Sequence, residues 1–187
     1  AGDVSTAEFS ADGRYLYFKR RFAAAGGLYQ VDLSAARPEP VRILDQVTEY
    51  TVLRSGKHVV VNARATPADS TLELHVFDVA TLKGRKLSDD AQRYRISRDG
   101  QFIAWRDSSG GPDRGLLKLA PTAGGEAREL GKAVNDFDFS PDGKRFVFRD
   151  NYRELALGGR DATREDTKLV ERVGELTLIE MPDGAPK

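Results

Sequence analysis

Four glycines stand at positions 13, 56, 100 and 143, at intervals of 43, 44 and 43 residues, and each ends a similar four-residue turn. The turns read Ser10-Ala11-Asp12-Gly13, Leu53-Arg54-Ser55-Gly56, Ser97-Arg98-Asp99-Gly100 and Ser140-Pro141-Asp142-Gly143. Each residue type has a reason to be there. Asp or Ser hydrogen-bonds the backbone two residues on, Pro141 presets φ, and Gly supplies the positive φ that closes a tight hairpin. One turn recurring at a constant interval marks a repeat architecture, and it constrains the fold before any local assignment is made.

Strand-forming residues flank every turn. Before them come Ala7-Glu8-Phe9, Tyr50-Thr51-Val52-Leu53, Tyr94-Arg95-Ile96 and Phe137-Asp138-Phe139, which alternate as a strand with one wet side does. After them come Tyr15-Leu16-Tyr17-Phe18, His58-Val59-Val60-Val61, Phe102-Ile103-Ala104-Trp105 and Arg145-Phe146-Val147-Phe148. These runs are nearly continuously apolar and suit strands buried on both faces. A third strand follows at Leu28–Asp32, Leu74–Asp78, Leu116–Leu119 and Leu176–Ile179. A fourth, charged edge strand is expected at Val41–Leu44, Arg85–Leu87 and Arg128–Leu130.

Four strands in about 43 residues is the composition of a propeller blade. The expected fold is therefore all-β, a β-propeller region over residues 1–187 with four blades of four antiparallel strands. The blades fall at about 4–45, 46–88, 89–131 and 132–187, the last lacking its outer strand. A β-sandwich is the other all-β possibility, but it has no reason to repeat one turn at constant spacing.

The run Phe139-Ser140-Pro141-Asp142-Gly143-Lys144-Arg145-Phe146-Val147-Phe148 resembles the WD40-like repeat shared by TolB-type propellers, the tricorn protease and prolyl-oligopeptidase propellers. The other three copies are looser, and the second lacks the Asp. The resemblance implies a ring of six to eight blades. It is compatible with binding proteins, protease gating domains and envelope scaffolds alike. Three ring arrangements are open: a piece of a larger propeller, a homodimer completing an eight-bladed ring, or a four-bladed ring. A TolB-like biology would place the chain in the periplasm or another extracytoplasmic setting, with the cytoplasm as the alternative.

Composition narrows function by exclusion. Lys+Arg and Asp+Glu both number 29, so there is no basic excess to suggest nucleic acid. The longest aliphatic run is Val59-Val60-Val61, far short of the roughly 18–20 apolar residues of a membrane span, so no membrane insertion is expected. The chain opens Ala1-Gly2-Asp3, with neither the basic nor the apolar region of a signal peptide. It contains no cysteine, which excludes disulfides and thiolate metal sites. His58 and His75 fall in different strands without a spaced second ligand, so no metal and no cofactor is expected. The chain has no Gly-x-Ser-x-Gly elbow, and its Gly110-Gly111 and Gly124-Gly125 pairs lack phosphate-loop context.

The loops joining second and third strands should gather on one face of the disc. The longest, Asp150–Gly174, carries Arg153 and Arg160, and Thr163 is placed to cap a short helix running to about Val173. Six residues past each turn glycine stand Lys19, Asn62, Arg106 and Arg149, with Arg64 two beyond Asn62. Cations at the loop face would attract a carboxylate, a phosphate or an acidic peptide. The plainer reading pairs them with neighbouring acids such as Asp107 or Asp150. Lys19, Arg64, Arg106, Arg149, Arg153 and Arg160 are the candidate ligand-binding residues. The expected function is a non-catalytic propeller scaffold for a protein or peptide partner. The alternative is the substrate-gating propeller of a serine peptidase or tricorn-like hydrolase whose catalytic domain lies elsewhere.

Overall fold

The computed structural model describes residues 4–20, 26–108, 115–156 and 170–181. They form fifteen strands and, among the described residues, no helix. Blade 1 is β1 (Val4–Phe9), β2 (Tyr15–Arg20), β3 (Gly27–Asp32) and β4 (Pro40–Asp45). Blade 2 is β5 (Val47–Val52), β6 (His58–Ala63), β7 (Glu73–Asp78) and β8 (Gly84–Ser88). Blade 3 is β9 (Ala91–Ile96), β10 (Phe102–Asp107), β11 (Leu116–Pro121) and β12 (Arg128–Gly131). Blade 4 is β13 (Asp136–Phe139), β14 (Arg145–Ala156) and β15 (Val170–Glu180). Each blade is its own antiparallel sheet in which chain order is spatial order.

The turn chemistry expected from the sequence is present in three copies. Ser10 Oγ donates to Asp12 Oδ1 at 2.6 Å, and the amides of Arg14 and Tyr15 donate to Asp12 Oδ1 and Ser10 Oγ. Ser97 with Asp99 and Ser140 with Asp142 repeat the same bonds. The second copy keeps the backbone bonds, Gly56 N to Leu53 O at 2.9 Å and Leu53 N to His58 O at 3.0 Å, while Ser55 Oγ, in the place of the Asp, accepts from Lys57 N at 3.4 Å. Its leucine is instead buried between blades 2 and 3. All four glycines hold φ between 67 and 73°. Positive φ is therefore the shared requirement, and the Ser/Asp pair is an addition to it.

Side-chain alternation sends the two faces of each second strand to different neighbours. Positions three and five past the turn glycine face the preceding blade; positions two, four and six face the following one. We call these the leading and trailing faces. Three apolar clusters fill the gaps. Tyr15, Tyr17 and Leu28 of blade 1 meet Val59, Val61 and Phe77 of blade 2. Val60, Leu74 and Val76 of blade 2 meet Ile103, Trp105 and Ala120 of blade 3. Phe102, Ala104, Leu117 and Leu119 of blade 3 meet Phe137, Phe146 and Phe148 of blade 4. Trp105 and the second-strand phenylalanines of blades 3 and 4 therefore pack between blades, as expected from their position.

Backbone bonds lock each linker at both sides. Gln46, Ala91 and Val134 donate their amides to the carbonyls of Gly26, Leu72 and Gly115 at 3.1, 2.7 and 3.3 Å. The carbonyls of Gln46, Asp90 and Lys132 accept from Arg64, Ser108 and Asn151, each at 3.1 Å. One linker thus ties the third strand behind it to the second strand ahead.

Blade 4 departs from expectation. Val170–Val173, assigned to the end of a helix from the sequence, belong to β15; the remainder of that proposed helix lies outside the described residues. Past a register shift between Asp150 and Arg153, β14 and β15 stay paired from Arg153↔Val173 to Ala156↔Val170. What was expected as a loop begins as a two-stranded arm.

The turns give one prediction. Gly143→Ala, whose added Cβ would meet only an ordinary contact with the Asp99 carboxylate at 3.9 Å but must hold φ +73°, lowers stability by about 1–2 kcal/mol. Asp142→Ala costs less, since the second turn closes without an Asp. Denaturant melts of both variants check the order, and the reverse order overturns the reading.

Candidate functional site

The loop face is built from the ends of the second strands, and two of the cations found there act as joints. Lys19 Nζ donates to the Thr48 carbonyl of blade 2 at 2.7 Å. Arg106 Nη1 donates to the Val134 carbonyl, at the entry to blade 4, at 3.3 Å. Neither bond goes to a neighbouring acid. Trailing-face geometry points these side chains across the gap, where the next inner strand starts. Arg149 holds the same position in blade 4. Space for the arginine stems comes from glycine: a Cβ on Gly115 would lie 2.5 Å from Arg106 Cγ, and one on Gly174 2.8 Å from Arg149 Cγ.

Of the other candidates, Arg64 is exposed at the end of β6. Arg153 stands in the arm opposite Val173, and Arg160 lies outside the described residues. The six are thus not gathered into one described cluster. Among the described residues no group of three or more His, Asp or Glu is placed to hold a metal ion.

A buried acid that the sequence offered only as a partner for the loop-face cations organises the gap between blades 2 and 3. Asp107, 7% exposed, accepts from Ser88 Oγ, from Trp105 Nε1 at 3.0 Å and from Lys118 Nζ. Ser88 ends the outer strand of blade 2, so the network joins both blades. Its only trace in the sequence is an Asp next to a Trp-Arg pair, which reads equally well as a solvated loop acid.

Around the axis, inner strands meet through polar pairs. Thr51 Oγ1 and the Tyr94 hydroxyl are 3.0 Å apart across blades 2 and 3. Arg93 pairs with Asp136 at 3.0 Å and Arg95 with Asp138 at 3.9 Å across blades 3 and 4. Between blades 1 and 2 opens a cleft of about 340 Å³ lined by Glu8, Lys19, Thr48, Glu49 and Tyr50. Partial burial pushes the Glu8 carboxyl above its ordinary value. A second cleft, about 420 Å³, lies at the turn side between blades 2 and 3, against His58, Asp99 and Thr122. Burial also holds His58 below the ordinary histidine value.

With this geometry in place, comparison with known proteins bears on the architecture. No family model matches the chain, and no curated protein matches it. Solved structures do. The tricorn protease aligns over 98% of this chain with a TM-score of 0.63 and 15% identity. Prolyl endopeptidases align over 79% with a TM-score of 0.54 and 15% identity. TolB from Acinetobacter baumannii aligns over 95% at 0.48 and 15%. The fold is a β-propeller. This propeller region spans 18%, 26% and 43% of those chains respectively, so each is considerably longer.

Two outcomes are expected at this level. Asp107→Ala, which leaves the Trp105 indole, Ser88 and Lys118 without their shared acceptor, lowers stability by about 3 kcal/mol. Lys118→Met in the same background restores part of the loss; a denaturant-melt cycle showing additive losses overturns the network. Burial pushes the Tyr17 and Tyr94 phenols up to about 12. Their contribution is complete below the ordinary value of about 10 and is lost as pH rises from there through 12, because the unfolded chain ionises first. Melting temperature should fall across that window, and less steeply in Tyr94→Phe.

Proposed function

We propose that this propeller region is a non-catalytic scaffold that binds a protein or peptide partner in extended form along β15. The observation that carries the reading is the open edge of that strand. β3, β7 and β11 each pair with an outer strand, whereas β15 has no strand on its outer side among the described residues. Its 11 residues run from the body of blade 4 into the arm. An unpaired edge offers alternating amides and carbonyls at the right spacing for a guest strand, and strand addition is an established way for sheets to capture peptides.

The alternative reading makes the same edge a gate that presents peptide to a hydrolase domain. It draws on the peptidases among the fold neighbours, at 15% identity. The two readings differ in whether a bound peptide depends on a second catalytic body.

Selection of a random extended-peptide library on the chain tests the proposal. Bound peptides should slow hydrogen exchange at the amides of Glu175–Glu180 and remain intact on incubation. Replacing residues 153–173 with a short glycine link should weaken them at least tenfold. Unchanged exchange in β15, an edge already protected without peptide, or cleavage of the peptide overturns the reading.

A further inference from the structure

We infer that the axial cleft between blades 1 and 2 is a binding site for the guanidinium group of an arginine side chain presented by a peptide or protein partner. The site has the arrangement found between blades 3 and 4, with the arginine missing. Register fixes the equivalent inner-strand positions. Thr6, Glu49, Arg93 and Asp136 each pair with the residue six past the turn glycine, at Lys19, Asn62, Arg106 and Arg149. Glu8, Thr51, Arg95 and Asp138 each pair with the residue four past it. Between these two rows stand Ala7, Tyr50, Tyr94 and Phe137.

Between blades 3 and 4 these positions hold an arginine of the chain itself. Arg93 of blade 3 lays its guanidinium over the Phe137 ring of blade 4, 5.6 Å from the centroid, and pairs with Asp136 at 3.0 Å. The following blade thus supplies an aromatic face and the acid one residue before it, which together suit a guanidinium. Between blades 1 and 2 the following blade supplies the same two groups, Tyr50 and Glu49. The preceding blade, however, has Thr6 where blade 3 has Arg93. Thr6 bonds the Tyr50 phenol and is too short to cover it. What opens there is the cleft of about 340 Å³, lined by Thr6, Glu8, Glu49 and Tyr50.

Two acids alone would not define a ligand, but the repeat shows what their counterparts bind. Asp136 and Asp138 meet Arg93 and Arg95. Glu8 and Glu49 have no cation within ion-pair range among the described residues. Arg93, at the matching position one blade beyond Glu49, is engaged by Asp136. Lys19, the cation that lines the cleft, has its ammonium on the Thr48 carbonyl at 2.7 Å. Burial comes first, and the Glu8 charge adds to it, in raising the Tyr50 phenol above its ordinary value, which places that carboxylate near the ring as well. The cleft therefore sets two carboxylates around one aromatic face. A planar guanidinium can lie on the ring and donate to both acids at once, whereas an ammonium acts as a single point charge.

The test titrates N-acetyl-arginine amide into the 187-residue chain and follows the amide resonances of Thr6, Glu49 and Tyr50. N-acetyl-citrulline amide, its uncharged isostere, and N-acetyl-lysine amide are titrated beside it. The arginine compound should shift these resonances, the lysine compound should bind more weakly, and the citrulline compound should leave them in place. Glu49→Gln should weaken arginine binding about fivefold, the upper range for one exposed ion pair. Thr6→Arg supplies within the chain the arginine that blade 3 has, so it should abolish binding of the compound without lowering the melting temperature. Both substitutions are at exposed positions, and circular dichroism checks that folding is retained. Equal binding of the citrulline compound, unchanged affinity in Glu49→Gln, or undiminished binding to Thr6→Arg overturns the inference. Shifts confined to β15 would overturn it too, and would leave the strand-edge reading standing by itself.

Discussion

A sheet that is apolar on both sides has to be covered on both sides, and every feature of this propeller follows from that requirement. Second strands such as Val59-Val60-Val61 cannot rest one face on water without leaving large apolar side chains exposed. Stacking sheets radially solves the problem for all but the terminal faces. Each gap is then filled by one blade's even-numbered positions and the next blade's odd-numbered ones, counted from the turn glycine. Trp105 is the largest fully buried side chain of one gap, and three phenylalanines of blade 4 contribute to another.

Polar groups in such gaps need partners supplied by the adjacent blade. The backbone provides them first, through linkers whose amide and carbonyl each bond a different sheet. Side chains add to this where the packing leaves room: Lys19 and Arg106 reach carbonyls across a gap, and Asp107 collects three donors from two blades. Cations that resemble an anion site in one dimension become joints in three, because the position six residues past the turn points sideways into the next blade. Lys19 and Arg106 are thereby held in the gaps between blades.

The sequence showed the architecture clearly because the glycine turns are local. Positive φ at Gly13, Gly56, Gly100 and Gly143 is demanded by four residues at a time, and its recurrence is visible without knowing what packs where. Burial of the second strands was equally visible as unbroken apolar runs. The arm was not. Thr163 and the residues after it suggest a capped helix, yet Val170–Val173 pair with Arg153–Ala156 because the strands leaving the body of blade 4 are already aligned and extending their ladder requires only further hydrogen bonds. Local preference is weak beside a partner strand held in register. The Asp107 network was hidden for a similar reason, since its members at positions 88, 105, 107 and 118 come from three strands of two sheets.

What the sequence determined by itself, then, is the repeat, its period and the two-sided burial that makes each repeat a blade; these depend on residues within one hairpin of each other. Tertiary structure alone decided which cations reach a neighbouring blade and which acid is buried. Those outcomes depend on the presence or absence of an adjacent sheet, a relation between segments some 43 residues apart that no single stretch of chain encodes.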